Sequence, residues 1–122
     1  MGVIASVGAA QSYTGGNGGK TYAINNVSNL ANIQVAPSLP SRRKITFINP
    51  GSSVILYVSM VNQINPITGV QSPLIPTTTV LGGTVPVFPG AFVTFEGECQ
   101  CAWQALAASG VSNPLTVVDS FV

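Results

Sequence analysis

Apolar and polar residues alternate along most of this chain with a period of two. RRKITFIN, residues 42–49, is the clearest case: Ile45, Phe47 and Asn49 fall on one side, Lys44, Thr46 and Ile48 on the other. Such alternation marks a strand with one buried face. Comparable runs are KTYAIN (20–25), ANIQVA (31–36, stopped by Pro37), SVILYVSMV (53–61), PGAFVTFEG (89–97) and LTVVDSFV (115–122). TVLGGTVPVF (79–88) predicts a strand bent at Gly82-Gly83. CQCAWQALAA (99–108) predicts a strand with Ala102, Gln104 and Leu106 opposite Cys101, Trp103 and Ala105. Turn signals separate the runs. In NPGS (49–52), Pro50 presets φ and Gly51 tolerates positive φ. NQINPITGVQSPLIPTT (62–78), with three prolines, predicts a long loop at an edge or tip. No segment carries a helical period over ten residues, and no internal repeat is visible. Seven or eight short strands at this spacing predict one all-β sandwich or barrel domain, 20–122.

The first nineteen residues read differently. MGVIASVGAAQSY (1–13) is apolar and uncharged, and the Gly/Asn-rich 14–19 reads as a flexible hinge between this arm and the body. TGGNGGKT (14–21) is one residue short of a phosphate-binding loop, with Thr14 where a glycine should stand. Neither a buried strand before it nor a helix after it is predicted, and a phosphate cradle requires both. The arm also imitates a signal peptide without the basic start, and a myristoylation pattern through Gly2 and Ser6. Its small residues suit close backbone approach to a neighbouring subunit, as in strand addition, and Val3 and Ile4 are its candidate anchors.

Charge changes the picture most. Lys, Arg, Asp and Glu make up 6% of the chain against 46% hydrophobic residues; soluble domains average about 25% charged. No run of about 18 apolar residues exists, which argues against a membrane-spanning helix. A surface this poor in charge is predicted to be covered in an assembly, as a dimer or trimer or on a larger partner. The net charge of +1 carries no nucleic-acid signal. Arg42, Arg43 and Lys44 form the one basic cluster. It reads as a solvated strand entrance or as a contact to an acidic partner surface, with phosphate binding third.

Chemistry is scarce. The chain has no histidine, and its acids are Glu96, Glu98 and Asp119. Glu96 and Glu98 share a strand face, which does not make the opposed pair that glycoside hydrolysis needs. Cys99 and Cys101 sit two apart, roughly 7 Å between Cα atoms in a strand, at the disulfide limit; they read as reduced core fillers. Trp103 reads as a core or interface anchor. Without histidine or a placed lysine no hydroxyl is activated. The expectation is a protein that is not an enzyme and needs no cofactor or metal.

From Arg42 to Val122 the chain resembles small structural proteins of tailed bacteriophages. RRKITFINPGSSVILYVS, FPGAFVTFEGECQCAWQALAASG and NPLTVVDS carry the resemblance, over about two thirds of the sequence. It implies a virion protein, of the capsid cement or decoration type, with a jelly-roll-like sandwich. The implied partner is the major capsid protein or another virion protein, met in the assembled particle after synthesis in the host cytoplasm. Arg42, Arg43, Lys44, Trp103, Val3 and Ile4 are the candidate partner-binding residues. The alternative is a receptor- or carbohydrate-binding β module of a phage tail or fibre, which would expose aromatics beyond Trp103, Tyr57 and Tyr22.

Overall fold

The computed structural model describes residues 19–64, 71–73, 84–97 and 99–121. The arm and hinge positions 1–18, with Val3 and Ile4, lie outside the described residues, as do 79–83 with the bend expected at Gly82-Gly83. The described chain holds ten strands. They are β1 (Gly19–Val27), β2 (Ile33–Ala36), β3 (Lys44–Ile48), β4 (Leu56–Met60), β5 (Asn62–Ile64), β6 (Gln71–Pro73), β7 (Val85–Val87), β8 (Phe92–Glu96), β9 (Trp103–Ala107) and β10 (Asn113–Ser120).

Eight of them form two antiparallel sheets of four, ordered β1-β10-β3-β8 and β2-β9-β4-β7. The sheets pack face to face as a β-sandwich. Each period-two run supplies its apolar side to the interior: Ile45 and Phe47 from β3, Leu115 and Val117 from β10, Leu56 and Val58 from β4, Trp103 and Ala105 from β9. Phe47, Phe95 and Trp103 meet inside, with ring centroids 4.7–6.2 Å apart at tilted or edge-on angles. Those are the separations that the aromatic quadrupole favours.

Three local differences from the expected elements have physical causes. First, 62–78 is not wholly a loop, because β5 and β6 pair antiparallel within it. Two-stranded pairing tolerates Pro73, since a proline without an N–H is accepted at a sheet edge. Second, β9 starts at Trp103, so Cys99 and Cys101 precede the strand rather than share its face. Third, β10 begins before Leu115 and includes Pro114. The register of β1 on β10 shifts between Ile24 and Val27, and a bulge there leaves no ladder donor missing at the proline. At its start β1 takes in Gly19, the last residue assigned to the hinge; a Cβ there would lie 2.6 Å from the Asp119 carbonyl oxygen.

The connections divide by end. β1 to β2, β3 to β4, β7 to β8 and β9 to β10 each carry the chain from one sheet to the other. Register places all four at the same end: Val27 lies opposite Asn113, Ile48 opposite both Thr116 and Phe92, and Leu56 opposite both Val87 and Ala107. The connections β2 to β3 and β8 to β9, which also cross between the sheets, lie at the other end, where β4 ends and β7 begins.

Candidate functional site: a charged pole and an uncharged pole

The seven charged residues of the chain fall at 20, 42–44, 96, 98 and 119. Glu98 is outside the described residues. The other six belong to one end of the sandwich: Lys20 lies opposite Asp119, Lys44 lies opposite both Ser120 and Glu96, and Arg42 and Arg43 immediately precede β3.

At this charged pole Arg42 is not solvated, which corrects the expectation of a uniformly exposed basic triplet. Its side chain and that of Asp119 have no exposed surface, and Nε donates to Asp119 Oδ1 at 2.7 Å. Nη1 donates to the carbonyls of Cys99 and Cys101, both at 3.0 Å, and Nη2 to that of Pro37 at 2.8 Å. One guanidinium thus joins the β2–β3 connection, the β8–β9 connection and the end of β10. Burial is tolerated because the charge is paired and the fork of N–H groups finds acceptors in several directions. Arg42 is occupied inside the domain, and its side chain has no surface left for a partner.

The surroundings complete the cluster. Tyr22 donates its hydroxyl to Asp119 Oδ2 at 3.4 Å. Burial, with the Asp119 charge second and Arg42 opposing, pushes its pKa up to about 12. Gln100 Nε2 donates to the carbonyls of Arg42 and Gly97, both at 2.7 Å. Trp103 Nε1 donates to the Cys99 carbonyl at 3.2 Å. Trp103 is 1% exposed, so of its two expected roles the structure gives it the core. Cys99 is buried and Cys101 half-buried, with no disulfide between them. Burial pushes the Cys99 thiol up, against the lowering effect of Arg42. Arg43 and Lys44 are exposed, and Lys44 Nζ lies 3.7 Å from Glu96 Oε2.

The opposite pole has no charged residue in any of its four connections, 28–32, 49–55, 88–91 and 108–112. Two buried or half-buried amides hold it. Asn49, 1% exposed, donates from Nδ2 to the carbonyls of Val54 at 2.8 Å and Val87 at 2.9 Å, while its Oδ1 accepts from Gly51 N at 3.0 Å. That is the N-P-G turn made by a short side chain capping its own backbone. Asn113 Nδ2 donates to the carbonyls of Val27 at 3.0 Å and Ser109 at 2.8 Å. Gly90 and Gly110 turn their connections at φ 76° and 80°, where a side chain is strained.

On this frame stand the four large apolar side chains that are exposed among the described residues: Leu30 at 78%, Phe92 at 66%, Val111 at 57% and Phe88 at 55%. Leu30 and Val111 belong to connections that meet where Asn29 N donates to the Gly110 carbonyl at 2.9 Å. Phe88 and Phe92 flank the turn closed by Ala91 N to the Phe88 carbonyl at 2.9 Å. No local pattern singles out these four side chains in the sequence, because an apolar residue in or beside a turn carries no periodic signal. The aromatics named for a sugar-binding alternative sit elsewhere: Tyr57 and Trp103 are buried and Tyr22 half-buried. Among the described residues no group of three His, Cys, Asp or Glu could hold a metal ion.

Comparison of the chain with protein-family models, with curated proteins and with solved structures finds no match.

Proposed function

We propose that this chain is a non-enzymatic structural protein of a phage virion, a cement or decoration protein that stabilises a capsid by bridging its subunits. The observation that carries the reading is the separation of the two poles. One end of the domain gathers every charge among the described residues, and the other presents four large apolar side chains on a frame without charge. Such a surface is poorly suited to permanent contact with water and well suited to a protein neighbour. The sandwich itself we read as a jelly roll. In support, six connections cross between the sheets, four at one pole and two at the other, and the order β1-β10-β3-β8 over β2-β9-β4-β7 fits the arrangement expected of two interlocked Greek keys. Jelly rolls serve in capsids and in lectins alike, so the fold supports the virion reading without selecting it.

The test is physical location. Particles released from cells that make the chain from its native genome are banded on a density gradient and imaged by electron cryo-microscopy. The reading expects the chain in the particle band, at repeated positions on the shell. Recovery only in the soluble fraction would sink it. A place on the tail or fibre, with saturable binding to a glycan array, would favour the receptor-binding alternative instead.

A further inference from the structure

We propose that the uncharged pole is the seat for the N-terminal arm, residues 1–13, of a second copy of this chain. The inference stands apart from the virion reading and concerns the purified protein alone.

The pole is a preformed platform. Asn49 ties the 49–55 connection to β7, and Asn113 ties 108–112 to the end of β1. The exposed side chains Leu30, Phe88, Phe92 and Val111 therefore project from anchored turns. A preformed apolar surface loses little entropy when it is covered.

Charge selects the occupant. The first nineteen residues carry no charged side chain, and neither does the pole. Contact between them strips water from no charged side chain. The same arm laid on the charged pole would have to desolvate Arg43, Lys44 or Glu96, which costs free energy that Val3 and Ile4 cannot return.

Area decides between an arm and a bare pole-to-pole contact. The exposed parts of the four side chains amount to roughly 400 Å². Two poles pressed together would bury roughly twice that, the size of a lattice contact and about half of a stable interface. In a two-fold dimer with each arm on the partner's pole the contact occurs twice, and with both sides counted the total reaches roughly 1,600 Å², the standard size.

Reach permits it. The described chain begins at Gly19, paired with Ser120 at the charged end. An extended segment of 18 residues spans up to about 60 Å, against about 30 Å for the length of β1. An arm on its own pole would join no two copies; the exchanged arrangement covers the same seat and reaches the area of a stable interface.

The test uses the full chain with a photoreactive benzophenone amino acid in place of Ile4, mixed with an isotopically heavy copy and irradiated. Mass spectrometry should find light–heavy crosslinks from position 4 into 28–32, 88–92 and 108–112. The double variant Phe88→Gln, Phe92→Gln should lower crosslink yield and dimer affinity about tenfold, the equivalent of about 1.4 kcal/mol, with an unchanged far-ultraviolet circular dichroism spectrum. Both phenylalanines are more than half exposed, and the unchanged spectrum is the check that the fold survives their replacement. Crosslinks confined to one copy would overturn the proposal, as would crosslinks mapping to the sheet edges or a yield indifferent to the double variant. Independently of that variant, the crosslink map alone decides whether the arm meets the pole.

Discussion

The same eight strands end in two poles that solve one problem by different means. At both ends the chain turns between sheets and leaves carbonyl groups pointing inward. At the uncharged pole the connections are short, and neutral carboxamides satisfy them: Asn49 takes the Val54 and Val87 carbonyls, Asn113 those of Val27 and Ser109. At the charged pole the β2–β3 and β8–β9 connections gather three inward carbonyls at one place, those of Pro37, Cys99 and Cys101. No amide offers that many donors over such a span. A guanidinium does, but it brings a charge, and Asp119 is needed to balance it. The difference teaches that charge in this protein serves the interior first. Once Arg42 and Asp119 are committed to each other, Lys20, Arg43, Lys44 and Glu96 are the described charged residues left to keep the surface wet, all at one end.

Removing the guanidinium attacks the comparison at its strongest point. Arg42→Met leaves Asp119 without its ion pair and takes one donor from each of three carbonyls, of which that of Cys99 keeps Trp103 Nε1. It should cost about 3–5 kcal/mol, the range for breaking a buried pair from one side. Arg42→Lys should recover little, because an ammonium is a point charge without the planar fork. Urea unfolding followed by Trp103 fluorescence measures both. A loss under about 1 kcal/mol for Arg42→Met would show that the pole does not depend on the pair.

The neutral pole is broken by an isosteric change. Asn49→Asp keeps the shape but replaces two donated hydrogen bonds with a buried carboxylate facing the Val54 and Val87 carbonyls. The expected cost is about 3 kcal/mol at neutral pH, above the usual penalty for one unsatisfied group because a charge is buried as well. The same unfolding assay reads it. Equal stability of Asn49→Asp and the parent would mean that backbone turns alone hold this end.

Much of this architecture is legible in the sequence, and the illegible parts share a cause. The strands can be read because a half-buried strand writes its period locally: RRKITFIN becomes β3 with Ile45 and Phe47 inside. The turn at Asn49 is legible for the same reason. Arg42 is not, since its burial depends on Asp119, 77 residues away; nothing local separates it from Arg43. The cysteines mislead because CQCAWQ alternates acceptably as a strand, whereas the Arg42 and Trp103 donors hold the Cys99 carbonyl in a turn. The uncharged pole is hidden in plain composition. Leu30 and Val111, and Phe88 and Phe92, reach the same end of the sandwich only through strand order, which no period of two encodes.

The finest comparison lies within the charged pole itself, between two ion pairs that differ most in exposure. Lys44 Nζ stands 3.7 Å from Glu96 Oε2, with the two side chains 47% and 68% exposed. At that distance and in water, attraction is screened and two long side chains lose rotamer freedom to meet. Lys44→Gln should therefore change stability by only about 0–0.5 kcal/mol. The effect should fade further in roughly half-molar salt, where screening acts within a few ångströms. The Arg42→Met variant should keep its full loss under the same salt, since its pair has no exposed surface for ions to screen. Parallel urea titrations at low and high salt measure the contrast. If Lys44→Gln cost more than about 1 kcal/mol, or Arg42→Met lost its effect in salt, burial would not be what separates the first and last residues of the same basic triplet.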